Sequence, residues 1–380
     1  MTASIIGAGE SPYTRHPSTK ASTETVITDA VVRALENAGL TPEDVDGFAV
    51  SSFTLEPDHA IDLAWKLGLR LSWLMQDTNG GASAGAMLQH AVHAIEAGDA
   101  SVVVLAAGDF MDKIAFEQLV ARYNRATEDH LSPLPMGGPN ALFAMLTARQ
   151  MEKFGLTRED YGRIAVAQRR WATANPEAVY RTPLSLKDYI QAPMVAEPLC
   201  RFDCVPPVTG ADAVVLVADE LARGKRRAKV MAVTASYNSE NQSGDGLQTG
   251  LADCSPIAWE RAGITPGDID VLAVYDDYPA MVVAQLIDMG IIPKEADISD
   301  FIRKRIYSGD LAINTSGGQL SAGQAGSAGG MHGLVEVVRQ LRGDAGSRQV
   351  AAKFGVVSGY GMVLYRYGAC ANMAVLEAAE

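Results

Sequence analysis

Hydrophobic and polar positions change period several times along the chain, and each change marks an element. Ala3 to Gly7 is a short apolar run of strand type. Ser22 to Asn37 repeats its apolar positions every three or four residues, the period of a helix with one buried face, and stops at Gly39. Thr41-Pro42-Glu43-Asp44 starts another helical turn: the hydroxyl caps it, proline fits its first position, and the acids face the positive end of the dipole. Phe48 to Ser51 returns to strand character. After Asn79-Gly80-Gly81, the stretch Ala82 to Ala97 mixes small and apolar residues with no charge before Glu96, so this helix must be surrounded by protein on nearly all sides. Ser101 to Ala107 is continuously apolar, as strands covered on both faces are.

The pattern then breaks. From Met111 to Cys204, aromatic, Met, Pro and charged residues mingle, and nothing later in the chain corresponds, which predicts an inserted cap. Leu156-Thr157-Arg158-Glu159-Asp160 starts a helix carrying Arg163, Arg169 and Arg170, followed by Asn175-Pro176 and Arg181. This basic row is either a solvated face or a patch that meets the phosphates of an anionic ligand. Thr209 to Ala213 leads into the apolar run Val214 to Val217, which rejoins the first core. Lys225-Arg226-Arg227 reads as a surface linker before a second half beginning near Val230.

That second half repeats the first. Ala38-Gly39-Leu40-Thr41-Pro42-Glu43-Asp44-Val45-Asp46 returns 224 residues later as Ala262-Gly263-Ile264-Thr265-Pro266-Gly267-Asp268-Ile269-Asp270. Ser83-Ala84-Gly85-Ala86-Met87 and Gly98-Asp99-Ala100-Ser101 recur, in order, as Ser327-Ala328-Gly329-Gly330-Met331 and Gly343-Asp344-Ala345-Gly346-Ser347. So long a period excludes a solenoid and means two similar domains, with a site expected where they face each other. The expected division is 1–110 with 205–229, a cap over 111–204, and 230–380.

Composition narrows the function. A chain of 380 residues with 48% hydrophobic and 20% charged residues carries ample core for two domains. Its net charge of −13 argues against a nucleic-acid surface. No stretch is long and apolar enough for a membrane span and the first residues do not form a secretion signal, so a cytoplasmic location is expected. Four cysteines make no disulfide framework, and Cys200 and Cys204 lack the second ligand pair of a zinc site, so no metal is expected.

Asn79 to Ala100, Phe154-Gly155 through Asn175-Pro176, Asp212 with its alanines, Leu311 to Gly318, Ser321-Ala322-Gly323-Gln324 and Gln340-Leu341-Arg342-Gly343 stand in one order. Together they resemble the thiolase superfamily, in its sterol-carrier and lipid-transfer branch, over nearly the whole chain. The resemblance implies an α/β fold: a duplicated βαβαβαββ core in a layered αβαβα arrangement, with an inserted loop domain. It also implies a homodimer that handles coenzyme A thioesters, with no covalently bound cofactor, and for some members a small zinc-ribbon and OB-fold partner protein.

In the family's Claisen chemistry a helix-start cysteine is acylated, because backbone N–H groups and the helix dipole stabilise its thiolate there. Here that place falls at Gly81. Ser83 nearby reads as a core hydroxyl. The His-Asp-x-Phe block stands as Tyr275-Asp276-Asp277-Tyr278, Gly-His-Pro as Gly323-Gln324-Ala325, and the last block as Val357 to Met362 around Tyr360. Cys370 lies beyond, in an Ala-rich segment, and reads as packed core. The sulfur and imidazole are gone from these blocks while phenols have entered.

A tyrosine-using branch of the resembled family performs retro-aldol cleavage of β-hydroxyacyl-CoA, notably of steroids. The expected roles are Tyr275 or Tyr360 as base, given a lowered pKa, and the other as acid or enolate donor. Asp276 is expected to orient them, Gln324 to donate to the thioester oxygen, and the backbone of Gly81 and Ala82 to help. Arg163, Arg170 and Asn314 are expected to bind substrate, and Met111, Met136, Met145, Met151 and Phe143 to line an acyl tunnel unless they fill core. Tyr278 reads as packing, and this assignment leaves Asp277 exposed. Two other functions stay open: a Claisen acetyltransferase or thiolase subunit completed by a partner's cysteine, and a non-catalytic acyl-CoA or lipid scaffold.

Overall fold

Each half of the chain spells the same series of elements. The first runs strand Ala3–Glu10, helix Thr23–Ala38, strand Gly47–Ser51, helix Ala60–Leu67, strand Trp73–Asp77, helix Ser83–Ala97, strand Val102–Asp109 and, after the cap, strand Gly210–Ala218. The second, apart from short turns and a few short helices, runs strand Arg227–Tyr237, helix Leu251–Ala262, strand Val271–Ala273, helix Pro279–Asp288, strand Ala312–Ile313, helix Gly329–Arg342 and strands Phe354–Leu364 and Tyr367–Ala379. Both read βαβαβαββ. The structure, a computed structural model, describes every residue except 1–2, 135–137, 241–242 and 365–366; Met136, expected in the acyl tunnel, lies outside the described residues.

Pairing repeats as well. Outward from Ala3–Glu10 come Gly210–Ala218, Val102–Asp109, Gly47–Ser51 and Trp73–Asp77, the first two junctions antiparallel and the last two parallel. Outward from Arg227–Tyr237 come Tyr367–Ala379, Phe354–Leu364, Val271–Ala273 and Ala312–Ile313, with the same directions. Among the described residues the sheet joins the halves edge to edge through Ser4 opposite Lys229 and Ile5 opposite Ala228.

The duplicated sequence has a physical task at each site. Pro42–Asp44 and Pro266–Asp268 are single 3₁₀ turns, each closed by reciprocal Thr and Asp caps. The aspartates that follow take equivalent bonds: Asp46 accepts the N–H groups of Ser101 and Val102, and Asp270 those of Lys353 and Phe354. Each therefore fixes the start of a neighbouring parallel strand.

Helices Ser83–Ala97 and Gly329–Arg342 lie between the half-sheets, with Met87, Leu88, Met331 and Leu334 in a core that takes strands from both. Ile27, Val31 and Leu35 cover the outer face of the first sheet. Helices Leu251–Ala262 and Pro279–Asp288 cover that of the second. A buried ionic cluster crosses the middle. Arg339 meets Glu10 at 2.6 Å, His332 Nδ1 stands 3.2 Å from Glu10, and Tyr13 donates to Asp212 at 2.6 Å. Glu10, Asp212 and His332 are spaced as metal ligands could be, but the Arg339 guanidinium already supplies the positive charge.

Two of the cap's apolar contacts with the core bear on the site. Tyr161, Ile164 and Ala167 of helix Arg158–Thr173 pack on the second half's outer core. Phe143 and Leu146 of helix Pro139–Phe154, with Leu199, instead close over Tyr275, Tyr278, Met281 and Tyr360. This second contact encloses the site.

Candidate active site

The glycine turn comes first. Residues Gly80–Ala82 form one 3₁₀ turn running straight into helix Ser83–Ala97. A Cβ on Gly81 would stand 2.2 Å from Cε2 of Tyr275 and 2.4 Å from the carbonyl oxygen of Tyr360. The Tyr275 ring thus occupies the room that a nucleophilic side chain would need. Ser83 is fully buried and accepts the Ser51 hydroxyl at 2.9 Å, a core hydroxyl as expected. The Ala82 N–H is consumed within the turn by the Asn79 carbonyl, which removes it from the expected helix-start donors.

Tyr275 ends a relay of polar groups. Gln324 Nε2 donates to the Tyr275 oxygen at 3.0 Å and to Gln319 Oε1 at 3.1 Å, so both amide protons are spent. Gln324 therefore positions the phenol, and as it stands has no proton left for a thioester. Asp276 accepts the N–H groups of Gln319 at 2.9 Å and Leu320 at 3.3 Å, so it orients Tyr275 only through that loop. Burial raises its carboxyl to about 7. Because the phenol oxygen already accepts a bond, its own proton is free to be given away.

The two tyrosines are neighbours with different employment. Their ring centroids lie 6.5 Å apart at 43°. The Tyr360 hydroxyl is buried and accepts the N–H of Gly368, across the turn of its own hairpin. Tyr275, with Asp276, Asn314, Ser316, Gln319 and His332, lines a cleft between the strands and the buried helices. Burial, then the Asp277 carboxyl, push both phenols well above their ordinary value, more than offsetting the hydrogen bonds they accept from Gln324 and Gly368. That is opposite to what a tyrosine base requires: burial favours the protonated form of both phenols.

Other expectations meet varied outcomes. Arg163 is bound by Asp160 at 2.7 Å and Glu159 at 3.1 Å on its own helix. Arg170 lies over the Tyr307 ring and donates to the Tyr307 carbonyl at 3.1 Å. Neither stands ready for a phosphate. A different set does gather beside the Gln324 loop: Arg169 donates to Ser321 at 2.9 Å and stacks on Tyr180 and Phe202, with exposed Arg15 and Arg201 over the same two rings. Asn314 is left-handed, φ 48°, and its Oδ1 accepts the Val274 N–H, while its buried Nδ2 has no partner. Of the expected tunnel residues that the structure describes, only Phe143 joins the aromatic enclosure, stacked 4.2 Å from Tyr278. Met145 is exposed and Met151 packs on the outer core.

Asp277 is the largest departure: expected to be exposed, it is 8% exposed, because the cap closes over the segment that carries it. His332 and Gln319 also belong to the site although neither was singled out. Burial would lower the His332 imidazole, but Glu10 outweighs it and raises it to about 9; its second nitrogen meets Ser316 at 2.8 Å.

The cysteines supply no nucleophile. Burial foremost raises Cys200, Cys254 and Cys370 to about 11 and Cys204 to about 12. At neutral pH less than about one in a thousand of each is thiolate. Incubation of the folded protein with iodoacetamide at neutral pH should leave its intact mass and activity unchanged. Fast alkylation of Cys204 or Cys370 with loss of turnover would contradict the assignment.

Residues 232–371 match the family described as thiolase C-terminal domain-like. The chain is 33% identical over 363 residues to a 17-hydroxy-3-oxo-4-pregnene-20-carboxyl-CoA lyase of Mycobacterium tuberculosis, covering 90% of this chain and 92% of the relative. It is 30% identical over 369 residues to a steroid side-chain-cleaving aldolase of Thermomonospora curvata, with 90% of each chain covered. Among solved structures, the Ltp2-ChsH2(DUF35) aldolase superposes with a TM-score of 0.84 at 27% identity, over 99% of this chain and 98% of that one.

Proposed function

This chain belongs to the thiolase superfamily, among its steroid side-chain-cleaving aldolases and sterol-carrier thiolase-like proteins, and we propose that it cleaves a β-hydroxyacyl-CoA by a retro-aldol reaction. The observation that carries this is the Tyr275 ring seated against Gly81, where acyl capture would need a side chain. Retro-aldol cleavage forms no acyl-enzyme. The β-hydroxyl loses its proton, the α–β bond breaks, a carbonyl remains at the β carbon, and the thioester leaves as an enolate to be protonated.

Tyr275 is the donor to that enolate, its oxygen held by the Gln324 amide and its proton left to give. The unpartnered Nδ2 of Asn314, in the same cleft, is suited to the thioester oxygen. The aromatic and aliphatic enclosure of Phe143, Leu146, Leu199, Tyr278 and Met281 favours a bulky apolar acyl group such as a steroid. The division of the chain at 110, 204 and 229 follows from the same reading. So do a homodimer, for which edge strand Trp73–Asp77 offers an open ladder, and a protein partner of the kind in the solved Ltp2-ChsH2(DUF35) assembly. No helix among the described residues is long and apolar enough to cross a membrane, and the four free thiols favour a reducing, cytoplasmic compartment.

The CoA phosphates are assigned to Arg15, Arg169 and Arg201. Arg201→Ala should raise KM for a CoA ester on the order of tenfold, the effect of one charge-assisted bond, with kcat nearly unchanged. Steady-state kinetics at low salt measure it. The reaction itself is tested on 17-hydroxy-3-oxo-4-pregnene-20-carboxyl-CoA, 3-hydroxybutyryl-CoA and acetoacetyl-CoA. Cleavage of a hydroxy ester to a carbonyl compound and a shorter acyl-CoA is expected. Thiolysis of acetoacetyl-CoA alone would favour Claisen chemistry, and binding without turnover a scaffold.

A further inference from the structure

One carboxylate beside the aromatic enclosure accepts backbone N–H bonds from Tyr278 and its own residue, yet keeps a free oxygen. Asp277 lies in the segment between strand Val271–Ala273 and helix Pro279–Asp288, and its buried Oδ1 has no hydrogen-bond partner. Asp276 beside it is fully engaged, both oxygens accepting backbone N–H groups. Around Asp277 stand Asp276, Tyr275 and Tyr278 from its own segment, Tyr360 from the hairpin, and Tyr123 and Cys204 from the cap. Each of these is an acid, a phenol or a thiol. Packing alone gives no reason for an acid here, since burying an unsatisfied carboxylate oxygen is costly and an amide or aliphatic side chain would fill the space.

We infer that Asp277 is the base of the reaction, accepting the β-hydroxyl proton on its free Oδ1; this rests on the retro-aldol reading of the site. As that O–H bond breaks, its electrons form the carbonyl at the β carbon. The α–β bonding pair passes into the thioester as its enolate, and the Tyr275 hydroxyl gives its proton to the α carbon. Protonated Asp277 then returns a proton to the Tyr275 phenolate. One proton has moved from oxygen to carbon, a carbonyl compound and a shortened acyl-CoA have formed, and both residues are restored with no further reactant. The phenols are the weaker candidates for the base, since their ordinary pKa near 10 is already far above an aspartate's and burial raises it further.

Burial, and next the charge of Asp276, hold the Asp277 carboxyl well above the ordinary carboxylate range. A base with a raised pKa is lost as pH falls through that value. The profile of kcat/KM for 17-hydroxy-3-oxo-4-pregnene-20-carboxyl-CoA should therefore show an acid limb clearly above about 4, the ordinary aspartate value. D277N should lower kcat by about 10²- to 10⁴-fold, leave KM within a few-fold, and abolish the limb in what activity remains. Asparagine has nearly the same shape and no charge, so the variant is expected to fold, and its melting curve checks this. Wild-type rates and an unchanged limb in D277N would overturn the inference while leaving the retro-aldol reading intact. Should D277N not fold, the wild-type profile decides: a limb near 4, or none, overturns it. No cleavage by the wild-type protein of either hydroxy ester would instead sink the retro-aldol reading beneath it.

Discussion

Tyr275→Phe is expected to lower turnover by about 10²- to 10⁴-fold, the usual share of a positioned proton donor, with little change in KM. The substitution removes one oxygen and nothing else. The ring stays against Gly81, so the packing that fills the nucleophile's place is kept. The Gln324 amide loses one acceptor, but Gln324 is only half-buried and water can replace the bond. The stability cost should therefore stay near the net worth of one hydrogen bond, about 0.5–1.5 kcal/mol. Circular dichroism melting beside steady-state kinetics separates the two effects. Turnover within a factor of three of wild type would remove Tyr275 from the chemistry, and a large fall in melting temperature with proportionate loss of activity would make it a packing residue.

Gly81→Cys is expected to abolish turnover without installing thiolase chemistry. The new Cβ would meet the Tyr275 ring at 2.2 Å and the Tyr360 carbonyl oxygen at 2.4 Å. The first is a buried ring and the second is backbone of a paired strand, so neither yields as the end of a flexible side chain would. On the far side the Gly81 carbonyl oxygen lies against Gly330, where a Cβ would come within 2.1 Å of it. Overpacking of this kind costs about 1–3 kcal/mol, occasionally more. Relief requires the Tyr275 ring to leave the position that Gln324 holds. The variant should melt several degrees lower, lose most cleavage of hydroxyacyl-CoA, and gain no acyl adduct from acetyl-CoA. Near-normal cleavage would show that the ring is free to move and that its seat against Gly81 is incidental.

How much of this was readable from the chain depends on how local the cause is. The repeat was legible because its residues act on near neighbours: Thr41 and Asp44, like Thr265 and Asp268, close their own turns, and Gly39 and Gly263 end their helices in the left-handed region. Helix Ser83–Ala97 was legible as buried because a helix with no charge before Glu96 has only one place to go. Strand Trp73–Asp77 was missed because it is a half-exposed edge whose Trp73, Leu74 and Met75 run without alternation. Arg163 could have been excluded from the phosphate site, since Glu159 and Asp160 stand four and three residues before it, the helical ion-pair spacing.

The site's electrostatics were out of reach for a different reason. The two blocks were expected at one site, but the phenols' upward shift comes first from their own burial under the cap and only then from Asp277. A charged residue after a short strand reads as solvent-facing until something distant closes over it. Gln324 likewise marked a changed block, while its two bonds, to Tyr275 and Gln319, came only with the fold.

The central claim is that a phenol stands where acyl capture would otherwise occur, so that carbon–carbon cleavage proceeds with no covalent intermediate. Rapid quench of the protein with 17-hydroxy-3-oxo-4-pregnene-20-carboxyl-CoA, followed by mass spectrometry of both the intact protein and the products, tests it in one measurement. The account predicts a steroid ketone and a shortened acyl-CoA in equal amounts, with the protein mass unchanged at every time point. Protein carrying an acyl group during turnover would contradict it.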